Sequence, residues 1–188
     1  MSEYTMSIDG EQQGADQRFD VINPATEQVL AAAPECSDAQ LEAAIQGAQR
    51  AFAGWRADEA ARRRLLLAAA EKLSARAPEL ARTLTQEQGK PLAQATGEVL
   101  GAAAQLKAYA NMPLPYEVTQ DDERGKIEIV HRPFGVVAGI TPWNFPILIA
   151  MSKIAPALLA GNTMVLKPSP YTPLATLQLG SVLNEVLP

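Results

Sequence analysis

Residues 135–169 read GVVAGITPWNFPILIAMSKIAPALLAGNTMVLKPS. The first six form a continuous apolar run, rich in β-branched side chains, as expected of a strand buried on both faces. Residues 146–160 are apolar over a helical length, and Gly161 supplies a stop. A second apolar run covers 163–166 and is closed by Lys167. Strand, helix and strand in that order predict a parallel pair joined by a right-handed crossover. Pro173 opens a further helix with Leu174, Leu177, Val182 and Val186 apolar. The fold class is therefore α/β, the beginning of a doubly wound parallel sheet. Two strands leave such a sheet incomplete, with one face and one edge open. Val136 and Val165 are expected to lack neighbours on one side and to leave an apolar patch exposed.

Upstream, residues 37–112 read as a layer of four amphipathic helices. Ser37 with Gln40 makes a capping box, and Leu41, Ile45, Ala48 and Phe52 recur on one expected inward face up to Gly54 and Trp55. A second helix covers 59–77 with Leu66, Ala69, Ala70 and Leu73 facing inward. Pro78 suits the first turn of a third, and Gly89 its C-terminal cap. A fourth, from Pro91, carries Ala95, Val99, Ala102, Leu106 and Tyr109 on one stripe. Residues 1–36 read as one hairpin, turning at Asn23-Pro24-Ala25-Thr26. Within 117–133, KIEIVHR (residues 126–132) alternates like a half-exposed strand, expected to join the N-terminal hairpin in a small projecting sheet. Such an edge is often covered by another chain. The domain reading is thus 1–36 hairpin, 37–112 helical layer, 117–133 projecting arm strand and 134–188 the first βαβα of the sheet.

Bulk properties narrow the function classes. Lys and Arg total 16 against 21 Asp and Glu, a net charge of -5, so no nucleic-acid footprint is read. Arg62, Arg63 and Arg64 are read as a solvated helix face. The N-terminus has neither a basic nor an apolar leader segment, and the apolar run at 146–160 is broken by Lys153 and Pro156, so neither secretion nor a membrane is expected. The single cysteine, Cys36, forms no internal disulfide and fits a reducing, cytoplasmic setting. With one histidine and one cysteine, no metal cluster is expected.

In open α/β sheets ligands bind beyond the carboxyl ends of the strands. One such end carries Thr141-Pro142-Trp143-Asn144-Phe145-Pro146, the other Lys167-Pro168-Ser169-Pro170. Asn144 reads either as a cap for the following helix or as a held amide that donates to a developing oxyanion. Trp143 is a core plug or a ligand-facing wall. Lys167 is a solvated cation or a partner for ribose or phosphate. Neither glycine-rich phosphate motif occurs. Cys36 stands at a helix N-terminus, which can lower a thiol pKa, but no histidine lies near it in sequence. His131 is read as structural.

The stretch RPFGVVAGITPWNFPILIAMSKIAPALLAGNTMVLKPSPYTP closely resembles the aldehyde dehydrogenase superfamily. FAGWR (residues 52–56), EQGKP (87–91) and INPAT (22–26) match the N-terminal half of that family in order. The resemblance implies oxidation of an aldehyde to an acid with NAD or NADP, through a cysteine nucleophile and a glutamate base. It assigns oxyanion stabilisation to Asn144. It places Ile140, Thr141, Pro142, Trp143 and Lys167 at the cofactor, the lysine on the adenine ribose. It makes the strand at 126–132 part of an oligomerisation arm, hence a homo-oligomer, dimer or tetramer. Where many NAD-using members carry a ribose-binding glutamate, this chain has Pro170, and Ser169 is expected to share that contact. Cys36 does not match the motif of the family's nucleophile, which the resemblance puts beyond residue 188, as it does the base. The chain is accordingly expected to be inactive alone, as a partial NAD(P)-binding domain or as a short form that binds cofactor or pairs with full-length subunits.

Overall fold

The computed structural model describes residues 4–188. The N-terminal region forms two hairpins, where one was expected. β1 (Met6–Ile8) pairs antiparallel with β2 (Glu11–Gln13), and β3 (Arg18–Asn23) with β4 (Gln28–Pro34). The first turn is Asp9-Gly10, both at positive φ (52° and 78°), the backbone a two-residue hairpin demands and Asp-Gly supplies. The second is the predicted 23–26 turn, where the Asn23 side chain accepts from the Ala25 N–H at 2.9 Å.

α1 (Asp38–Ala57) starts on the predicted capping box, with the Ser37 side chain and Gln40 exchanging hydrogen bonds. It runs past Gly54 and Trp55, and it buries a different face from the one expected. Leu41 and Ile45 are exposed, while Gly47 and Trp55 are buried. The reason is its partner. α1 lies chiefly on the parallel sheet and on β1, and only a glycine admits the β1–β2 turn. A Cβ at Gly47 would stand 2.7 Å from the Asp9 Oδ1.

The remaining three helices form the layer. α2 (Glu59–Ala75) is capped by Asp58, α3 (Ala77–Gln88) ends on Gly89 at φ 84°, and α4 (Leu92–Asn111) begins after Pro91. The predicted stripes meet here: Leu66, Ala69 and Leu73 of α2 pack with Ala95, Val99, Ala102 and Leu106 of α4. Arg62 corrects the reading of the 62–64 run as solvated. It is buried, and its guanidinium donates to the carbonyls of Trp55 and Arg56 (both 2.9 Å) and Leu159 (3.3 Å). Those carbonyls lie at helix C-termini, where four acceptors are left over and a cation suits the dipole.

Residues 116–130 form a hairpin of their own rather than a single arm strand. β5 (Tyr116–Asp122) pairs antiparallel with β6 (Gly125–Val130), and neither pairs with the N-terminal hairpins. The turn explains the difference. Asp122 accepts from the Arg124 N–H at 2.8 Å, and Gly125 takes φ 135°. All of β6 is solvent-exposed, as is His131 just beyond it.

β7 (Val136–Ile140) and β8 (Thr163–Lys167) then pair in parallel, joined by α5 (Pro146–Leu159), and α6 (Leu174–Asn184) follows. Both strands have only each other for a partner. The expectation of full burial is corrected accordingly: Val136, Val137 and Val165 are half-buried, and Ala138 and Ile140 are exposed. α5 and α6 carry their apolar faces onto α2–α4, with Ile147, Met151, Leu179 and Val182 in the shared core. Among the described residues no helix is long and apolar enough to cross a membrane.

Candidate functional site

The parallel register sets Ile140 against Lys167, so both strands end on one rim. The Thr141 N–H donates to the Lys167 carbonyl at 3.2 Å, and the Thr172 hydroxyl donates to the Trp143 carbonyl at 3.4 Å. Two loops, 141–145 and 168–173, are thereby tied side by side.

Each loop leads into a helix whose first N–H groups need acceptors. Neither helix caps itself. The N-cap residues are Phe145 for α5 and Pro173 for α6, and neither makes a side-chain cap. Two buried glutamates of the helical layer do this instead. Glu98 on α4 accepts from the Ile147 and Leu148 N–H groups at 3.0 and 3.1 Å. Glu87 on α3 accepts from those of Leu174 and Ala175 at 2.7 and 2.9 Å. Burial pushes the Glu87 carboxyl up to about 8. The two N–H donors pull against that rise, and the nearby Glu98 adds to it.

The EQGKP block supplies the rest of the clamp. Lys90 forms an ion pair with Glu98, their side chains only 8% and 1% exposed. The same ammonium donates to the Asn144 carbonyl at 3.1 Å and sits 4.1 Å from the centre of the Phe145 ring. Gln88 donates to that carbonyl as well, at 3.3 Å. Asn144 is thus held by its backbone. Its side chain is exposed, caps nothing, and has no hydrogen-bond partner among the described residues. The capping alternative for Asn144 falls, because Glu98 takes the N–H groups it would have served.

Trp143 is 54% exposed, so the core-plug alternative falls. It faces a pocket of about 360 Å³ shared with Ile22, Pro24, Tyr171 and Thr172, at whose base lie Glu87 and Gln88. Ile140 is 72% exposed, Pro142 is exposed and Thr141 is buried. Lys167, Ser169 and Pro170 line a different cavity, of about 780 Å³, bounded by α1 and α6. Of the predicted dinucleotide residues, Trp143 therefore opens onto one hollow and Lys167, Ser169 and Pro170 onto another. Ser169 is buried, its hydroxyl accepting from the Tyr171 N–H at 3.3 Å.

Cys36 lies on the wall of the larger cavity, which Lys167 also lines. Its helix N-terminus does not activate it. Partial burial and the neighbouring carboxylates of Glu35 and Asp38 push the thiol pKa up. Among the described residues no three His, Cys, Asp or Glu side chains cluster as metal ligands would.

The clamp residues went unread in the sequence, although a signal exists. Glu98 lies three after Ala95 and four before Ala102, and Glu87 three after Leu84. A carboxylate at a core-facing position needs a partner.

The aldehyde dehydrogenase family pattern matches residues 11–188. A putative aldehyde dehydrogenase of Gibberella fujikuroi is 37% identical over 182 residues, 96% of this chain and 39% of that protein. An aldehyde dehydrogenase from Brucella melitensis biovar abortus superposes with a TM-score of 0.92 at 34% identity, over 98% of this chain and 40% of that one. Lactaldehyde dehydrogenase from Escherichia coli gives 0.91 at 35%, over 98% and 40%. The NADP-dependent enzyme of the same organism gives 0.91 at 36%, over the same shares. The chain spans about 40% of the length of the relatives it matches.

Proposed function

The chain belongs to the aldehyde dehydrogenase family, and from that membership we propose that it carries the oxyanion donor and part of the dinucleotide site for NAD- or NADP-dependent oxidation of an aldehyde to a carboxylic acid. One observation carries the reading. Asn144 holds an unpartnered amide at the ends of two parallel strands, while a buried glutamate does the capping that would otherwise occupy it. When a nucleophile adds to a carbonyl, its oxygen gains negative charge, and a preset N–H donor there stabilises the transition state.

The residues on the rim fit a dinucleotide. Ile140, Pro142 and Trp143 offer exposed apolar surface for an adenine, with the buried Thr141 fixing the turn beneath them. Lys167 offers a cation to ribose hydroxyls, and Ser169 a hydroxyl close by. Pro170 presents no carboxylate, so nothing at that position holds a 2′-hydroxyl or repels a 2′-phosphate. When bound, the dinucleotide supplies the hydride acceptor. Within these residues no group takes the nucleophile's or the base's part. The Cys36 thiol is held in its neutral form, and the chain alone turns over no aldehyde. The β5–β6 hairpin, with Tyr116, Ile127, Ile129 and Val130 exposed, serves as the arm through which copies of the chain or full-length family subunits associate. A cytoplasmic setting accords with the free Cys36.

Titration of Trp55→Phe with NAD and NADP, followed by quenching of the remaining Trp143 emission, tests the reading. Quenching by at least one of them is expected, weakened about tenfold in Lys167→Ala, as loss of a charge-assisted hydrogen bond would give. No response to either refutes the dinucleotide site. Aldehyde turnover that survives Cys36→Ser refutes the assignment of inactivity.

A further inference from the structure

We propose that Lys90 and Glu98 are the positioning residues of Asn144, the buried ion pair fixing where its amide is presented; the functional meaning of that position rests on the oxyanion reading above. The Asn144 amide has no hydrogen-bond partner among the described residues, so what holds it is its backbone. That backbone is held at three points. Upstream, Thr141 is tied to the Lys167 carbonyl (3.2 Å). Downstream, Glu98 accepts from Ile147 and Leu148. Between them Lys90 and Gln88 both donate to the Asn144 carbonyl.

The ion pair joins the last two points. Lys90 spends one donor on Glu98 and one on Asn144, and faces the Phe145 ring with its charge. Stability alone does not call for such a pair, because apolar residues of similar volume often serve a core as well or better. What an apolar pair lacks is the donor on the Asn144 carbonyl and the acceptor under α5. The Phe145 ring then keeps the ammonium from turning to solvent, since a cation over an aromatic face is itself favoured.

Backbone ¹⁵N relaxation and amide hydrogen exchange on the chain test this without aldehyde or dinucleotide. Lys90→Met is expected to lower the order parameters of Asn144 and Phe145. It should also speed exchange at Ile147 and Leu148 by tenfold or more relative to Leu84 and Leu106. Lys90→Arg, which keeps charge and donors, should restore most of the order. Leu84→Ala is the control for a purely structural loss and should speed exchange evenly across the core. If Lys90→Met behaves like Leu84→Ala, or leaves 144–148 unchanged, the positioning role is overturned. Should Lys90→Met not fold, Glu98→Gln removes the charge that holds Lys90 and keeps an acceptor for Ile147 and Leu148. Selective loosening at Asn144 then supports the clamp, and an even or null response overturns it. A failure of dinucleotide binding would count against the functional reading and leave this measurement untouched.

Discussion

Replacing Glu87 by glutamine sets two effects of known sign against each other. Burial raises the carboxyl, and the N–H groups of Leu174 and Ala175 lower it; with burial the larger, the group sits at about 8 instead of its ordinary 4.5. Between those values the native state holds a proton that the unfolded chain has released. The stability from this site is therefore present below pH 4.5 and lost as pH rises through 8. At about 1.36 kcal/mol per pKa unit, the gap amounts to about 5 kcal/mol at most. Glutamine stays neutral and can still accept one N–H. Urea unfolding should find Glu87→Gln close to the parent at pH 5 and more stable at pH 8.5, with a flatter pH dependence between. Glu79 and Glu185, held below the ordinary range by Arg76 and Lys72 respectively, act only as pH falls below 4.5, so the window is clear of them. If Glu87→Gln is instead less stable at pH 6.5 by about 2 kcal/mol or more, the carboxyl has already ionised well below 8. Its two charge-assisted hydrogen bonds then outweigh burial.

Three further substitutions probe other joints. Arg62→Met leaves the carbonyls of Trp55, Arg56 and Leu159 without this donor, and should cost about 2–4 kcal/mol in chemical unfolding; a loss below about 0.5 kcal/mol would refute its role as a shared helix cap. Gly47→Ala drives a Cβ against Asp9; about 1–3 kcal/mol of destabilisation is expected, as for overpacking, with faster exchange in β1 and β2 first, and an unchanged melt would contradict the contact. Cys36 should alkylate slowly at pH 7 and faster as pH climbs past 9; a rate already level at pH 7 would mean an activated thiolate.

The sequence carried the frame of this molecule and missed its joints. Apolar positions three and four apart in α2 and α4 pointed to their buried stripes, and Gly89 and the Ser37–Gln40 pair marked helix ends, because these signals are local. α1 was read onto the wrong face. Its contact is with β1 and the sheet, distant in sequence, and is made by a glycine that no apolar periodicity registers. Asp9-Gly10 and Gly125 are hairpin-turn residues, but β1 and β2 are three residues each, too short to show a strand's alternation. At the site, strand ends and their residues were legible, since parallel strands must share a rim. The support under them was not. It depends on Glu87, Lys90 and Glu98 reaching across to residues 144–175, and spacing along one helix says nothing of what lies opposite.

That dependence has a direction in time. α3 and α4 are complete at Asn111, whereas the N–H groups that Glu87 accepts belong to Leu174 and Ala175. At roughly 10 residues per second, several seconds of synthesis separate them, and helices form in under a millisecond. The side chains that seat both loops are therefore synthesised before either loop leaves the ribosome. Until then two carboxylates and a lysine wait on the helical surface, which makes the newborn layer more polar, and less prone to stick to its neighbours, than the finished core it becomes.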